Sequence, residues 1–146
     1  MVGCGNLLCS DDAAGLAAVR CLNAGVVPDG VCVVEAGCPG YRLLDLISGF
    51  DRAVLVDAVV SGAPPGTLHR FGTGALPPRN LLPLSLHGAN LVDALALGQV
   101  VAPERMPPEI VILGIEIADR TPYREGLSPE VARALPDLVQ AIREIL

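Results

Sequence analysis

Three short apolar runs, rich in β-branched residues, constrain this chain more than anything else in it: Val31-Cys32-Val33-Val34-Glu35, Ala53-Val54-Leu55-Val56-Asp57 and Ile110-Val111-Ile112-Leu113-Gly114-Ile115. Each is bounded by turn residues and lacks the polar alternation of a half-wet strand, so each reads as a strand buried on both faces. Thr67-Leu68-His69-Arg70-Phe71 alternates instead, as an edge strand does. Helical spacing falls between these runs. One helix is predicted from Asp12 to about Leu22, with Leu16, Val19 and Leu22 near one face and Gly25 as a stop, and another from Tyr41 to about Ser48. A third runs from Ala89 to about Val100, and a fourth from Pro129 to the C-terminus behind Ser128 as N-cap. Alternating strands and helices predict an α/β fold, a sheet sandwiched between helices, whose default ligand crevice lies at the carboxyl ends of the strands.

A chain of 146 residues fits one domain, residues 1–146, able to bury roughly 70 % of the surface its unfolded form exposes. Half of it is hydrophobic but only 3 % is aromatic, so the interior is aliphatic. A formal charge of −6, with ten Lys and Arg scattered along the chain, argues against a nucleic-acid partner, because phosphate neutralisation needs a basic surface. No apolar run approaches the ~20 residues of a membrane span and no basic segment precedes Asp11 and Asp12, so a soluble, unexported, cytoplasmic protein is expected. Cys4, Cys9, Cys21, Cys32 and Cys38 are odd in number and form no Cys-x-x-Cys pair. Neither a zinc ribbon nor a disulfide framework is indicated, and free thiols imply a reducing compartment. Four of the five are expected in the core, with Cys38 set apart in the turn Gly37-Cys38-Pro39-Gly40.

The opening Gly3-Cys4-Gly5-Asn6-Leu7-Leu8 is not a dinucleotide fingerprint, since its third glycine would fall on Leu8. The glycines instead permit a tight turn after a first strand, leading through Ser10 and Asp11 into the first helix. There Asp11 reads as a cap and Asp12 as a complement to the helix dipole, unless they carry chemistry. Asp57 ends an apolar strand where the sheet opens to ligand, and a carboxylate there needs a partner or forms a turn into Ser61-Gly62. His87 directly precedes a predicted helix beside Gly88, whereas His69, in the edge strand, is assigned no role. Together Asp12, Asp57 and His87 would make an O, O, N set on three loops, a three-ligand site with an open position suited to nickel or zinc. No serine or cysteine has a nucleophile context.

Gly3-x-Gly-Asn-x-Leu-x-x-Asp-Asp12, the strand ending at Asp57, and Ser85-x-His87 with Leu91 resemble, in order and spacing, the nickel-iron hydrogenase maturation proteases. Gly37-Cys38-Pro39-Gly40 looks like that family's glycine-bracketed turn, Leu113-Gly114-Ile115-Glu116 like its last strand, and Gly126-Leu127-Ser128-Pro129-Glu130-Val131 like the start of its final helix. The resemblance implies a three-layer α/β/α sandwich of the phosphorylase/hydrolase-like kind, with a twisted, mostly parallel sheet. It further implies an aspartyl-type endopeptidase whose Asp12, Asp57 and His87 contact nickel already installed in a [NiFe]-hydrogenase large subunit. The enzyme would then remove that subunit's C-terminal extension, with the nickel carried by the substrate and no tightly bound cofactor of its own. A non-catalytic, metal-sensing assembly chaperone for the same subunit is the alternative. Three features depart from the family pattern: only Met1 and Val2 precede the glycine turn, Cys38 replaces a hydroxyl residue, and Gly88 follows the histidine where relatives often carry an acid.

Overall fold

The computed structural model describes residues 1–72 and 91–146. In chain order they form β1 (Val2–Cys4), α1 (Ala14–Asn23), β2 (Val34–Gly37), α2 (Leu43–Ile47), β3 (Arg52–Val59), β4 (Leu68–Gly72), α3 (Leu91–Val101), β5 (Glu109–Glu116) and α4 (Pro129–Arg143). Short 3-10 turns, Ser10–Ala13 and Gly40–Arg42, lead into α1 and α2. The five strands make one sheet in the order β2-β1-β3-β5-β4. All neighbours are parallel except β4, which runs antiparallel to β5 at the edge. The expected α/β sandwich around a mostly parallel sheet is therefore what forms, with Thr67–Phe71 realised as the edge strand Leu68–Gly72.

Period-two alternation splits the strands between two cores. Ala53, Leu55 and Val59 of β3, with Ile110 and Ile112 of β5, pack under Leu43 and Ile47 of α2 and Leu91, Val92 and Leu95 of α3. Val54, Val56 and Ala58, with Val111, Leu113 and Ile115, pack under Ala14, Ala18 and Leu22 of α1 and Val131, Leu138 and Ile142 of α4. Helix α4 starts as expected: Pro129 occupies the first turn and Ser128 accepts the Val131 N–H.

Several boundaries differ from the sequence expectation. The second strand begins at Val34 rather than Val31, because the parallel register to β1 pairs Val2 with Val34 and leaves Val31–Val33 outside the ladder. The third does not end at Asp57. It continues to Val59, since β5 offers pairing partners as far as Glu116. The first helix opens as a 3-10 turn, so its regular part starts at Ala14. The start proposed for the third helix at Ala89 lies outside the described residues. The cysteine expectation holds only for Cys4: Cys9 is half-buried, and Cys21 and Cys32 are exposed, as is Cys38. Cys21 lies on the solvent side of α1 and Cys32 just outside β2, positions where small size does not draw a thiol inward. All five cysteines are free. No helix among the described residues is long and apolar enough to cross a membrane.

Candidate active site

The connections after β1 and β3 leave in opposite directions across the sheet, so the carboxyl ends of these two neighbours form a switch point, where open α/β sheets place their crevice. Close backbone approach brings Asp12 there. Gly15 of α1 lies against the carbonyls of Cys4 and Val56, and a Cβ at Gly15 would collide with both. Gly5 adopts φ 128°, a left-handed conformation open to glycine, and a Cβ there would strike the Asp12 carbonyl. These contacts let the first turn of the α1 segment sit directly over the end of β1, with the Asn6 N–H donating to the Asp12 carbonyl at 3.3 Å.

Asp57 occupies the β3 rung opposite Gly114 of β5, in phase with Leu55 and Val59 and so on the face covered by α3. Its Oδ1 accepts the Ala58 N–H at 2.9 Å, and no Asx turn into Ser61-Gly62 forms. Burial, and then the charge of Asp12, push the Asp57 carboxyl up to about 7, against the pull of the Ala58 N–H. Asp12 is raised too, chiefly by burial, with the Asn6 N–H and the Arg120 guanidinium opposing. The charge of Asp12 thus bears on Asp57, and near neutral pH the pair carries a proton for part of the time. Such a pair can accept a proton from water or offer oxygen ligands to a cation. His87 lies outside the described residues. Among the described residues no group of three or more His, Cys, Asp or Glu side chains is disposed to hold a metal ion.

Cys38, in the turn after β2, donates weakly from Sγ to the Gly5 carbonyl at 3.6 Å. Burial and then the charges of Asp12 and Asp57 raise its thiol, and burial followed by Asp57 raises that of Cys4. Both stay protonated at neutral pH, the opposite of an activated nucleophile.

Asp11 corrects an expectation. It does not cap its own helix, whose start has no side-chain cap. It is fully buried and accepts the backbone N–H groups of Ala118, Asp119 and Ser128 at 3.1, 3.0 and 2.6 Å, plus the Ser128 hydroxyl at 2.9 Å. A carboxylate satisfied by four donors fastens the loop after β5, and the start of α4, beside Asp12. Sequence reasoning also passed over Glu116 and His69. Glu116 is buried and accepts from Ser61 N and Oγ, from Gly62 N, and from His69 Nε2 at 3.1 Å. Burial alone would raise its carboxyl, but the Ser61, Gly62 and His69 hydrogen bonds outweigh it and hold the group below the usual range. A charge closing the apolar run of β5 was the signal available for Glu116. His69 acquires a structural role, locking the β3–β4 connection.

An α/β sandwich with two coupled carboxylates at its switch point defines the class of a hydrolytic or metal-sensing crevice domain. The match to known proteins narrows the class. The HycI family model, described as hydrogenase maturation protease, matches residues 17–145, and the chain belongs to that family. A Methanocaldococcus jannaschii protein named as a hydrogenase maturation protease is 32 % identical over 97 % of this chain and 92 % of its own length. The hydrogenase 2 maturation protease of Escherichia coli is 28 % identical over 99 % of this chain and 90 % of its own. Among solved structures, the E. coli maturating endopeptidase HybD superposes with a TM-score of 0.81 at 24 % identity, covering 99 % of this chain and 89 % of that one. HybD of Thermococcus kodakarensis, a [NiFe] hydrogenase maturation protease, superposes with a TM-score of 0.77 at 26 % identity, covering 99 % and 95 %. This protein is accordingly a peptidase of the hydrogenase-maturation type.

Proposed function

We propose that the protein is the endopeptidase that removes the C-terminal extension of a [NiFe]-hydrogenase large subunit once that subunit carries nickel. The observation that carries this is the coupling of Asp12 and Asp57 at the switch point, in a chain of the maturation protease family. His87 would complete the set. It precedes α3 in the chain, and α3 packs on the sheet face from which Asp57 projects.

In this mechanism the nickel ion arrives as part of the substrate and docks against Asp12, Asp57 and His87. The proton held by the carboxylate pair leaves on docking, because a carboxylate must be ionised to ligate. Nickel polarises the scissile carbonyl or the attacking water, and Asp12 accepts the water's proton and passes it to the leaving amine. A nickel-free subunit lacks the ion that bridges it to the crevice and is left uncut, so the metal serves as a loading check. The reaction belongs to the cytoplasm, where free thiols persist.

The test is cleavage of a cognate large-subunit precursor, nickel-loaded or nickel-free, with products weighed by mass spectrometry. Shortening of the loaded form alone is expected. Asp12→Asn, Asp57→Asn and His87→Ala should each lower the rate by at least about a hundredfold while leaving the circular dichroism unchanged. An unchanged precursor mass with intact binding would instead identify a non-catalytic assembly chaperone.

A further inference from the structure

Beyond the three proposed metal contacts, the crevice has a cation of its own in Arg120, just after β5. The loop bearing it is tied down on both sides of the residue. Asp119 receives the Asp11 N–H at its carbonyl (3.1 Å) and donates its own N–H to the buried Asp11 carboxylate (3.0 Å). The Asp119 side chain accepts the Thr121 N–H at 2.9 Å and the Arg124 guanidinium at 2.8 Å. The backbone of Arg120 is thereby fixed alongside the Asp11-Asp12 dipeptide. Its side chain is exposed and, among the described residues, makes no hydrogen bond or ion pair. Its charge reaches Asp12 without closing to a salt bridge. Four residues further on, Arg124 does close onto Asp119. Among the described residues, then, one arginine serves as a structural clasp and the other is left without a hydrogen-bonding partner beside the acidic crevice.

We infer that Arg120 binds the substrate polypeptide, its guanidinium donating to a backbone carbonyl or carboxylate oxygen of the segment lying over Asp12. This deepens the peptidase reading and rests on it. Two carboxylates at the centre of the crevice, in a chain of net charge −6, repel oxygen-rich peptide. A forked donor at the rim offsets that repulsion and orients the chain. The side chain is exposed rather than locked by packing, so it serves to hold the bound substrate and is not a preorganised oxyanion donor. The group is a positioning residue whose effect belongs in KM.

The experiment measures KM and kcat for cleavage of nickel-loaded precursor, and its Kd for the protein, with wild type, Arg120→Gln and Arg120→Lys. Arg120→Gln should raise KM and Kd about tenfold with kcat within about twofold, and Arg120→Lys, which keeps the charge but not the fork, should recover only part of the loss. Repeating the titration in rising salt distinguishes the acceptors, since a carboxylate contact weakens steeply and a carbonyl contact weakly. Unchanged KM and Kd in Arg120→Gln overturn the inference, as does a fall in kcat alone. If wild type binds but does not cut, the peptidase reading fails and the Kd comparison still decides the role of Arg120. If wild type neither binds nor cuts, both fail.

Discussion

Asp57 is a carboxyl group whose surroundings favour its neutral form. In the metal-free protein its value of about 7 compares with about 3.9 in an unfolded chain. Between those values the native state binds more protons than the unfolded state, so the contribution of Asp57 to stability is full at low pH and is lost as pH rises through this window. Asp57→Asn keeps the acceptor for the Ala58 N–H and removes the titration. It should unfold with nearly wild-type stability at pH 4 and be more stable at pH 8 by a few kcal/mol, because each tenfold difference in proton affinity between the two states is worth about 1.4 kcal/mol. Urea titrations at the two pH values check this, and an equal gap at both would mean that Asp57 ionises normally. Asp57 was legible in the sequence as a charge in an otherwise apolar strand, and Asp12 through the motif Gly-Asn-x-Leu-x-x-Asp-Asp, although its reading as a complement to the helix dipole stayed open beside it. Asp11 was not, because its partners lie 107 to 117 residues away; it looked like a local cap and proved to be a long-range anchor.

At the scale of elements, α4 combines strong signals with one that opposes them. Ser128 and Pro129 set its start, yet Pro136 sits inside it, where a proline removes the hydrogen bond to the Ala132 carbonyl and crowds that turn. Pro136 is exposed and faces away from the Leu138 and Ile142 contacts that hold the helix to the sheet. Pro136→Ala should therefore stabilise the protein by about 1–3 kcal/mol, read as a higher urea midpoint with an unchanged slope. A lower midpoint would mean that the fixed proline geometry fits the native bend. The strands show the complementary case. β1 has only three residues, too few to be recognised by pattern, and is held as a strand by neighbours on both sides. Val31-Cys32-Val33 has strand character and stays outside the sheet because the register to β1 decides where pairing begins.

Across the whole molecule, one sheet serves two cores, since alternate residues of β3 and β5 face the α2/α3 layer and the α1/α4 layer. Damage to one layer should be felt in the other. Ile142→Ala, in the α4 layer and fully buried, should cost about 2–5 kcal/mol. It should also lower hydrogen-exchange protection by the same free energy in α3 on the opposite face, as a single cooperative unit requires. Protection retained in α3 would show that the layers unfold separately. By itself the sequence determined the α/β class, the helix start at Ser128 and the aliphatic core, because periodicity, caps and turns act over a few residues. Only the tertiary structure decided the strand order, the coupling of Asp12 with Asp57, and the anchoring of the Arg120 loop by Asp11. Those depend on which distant segments touch, and here close backbone contact at Gly5 and Gly15 allows the approach.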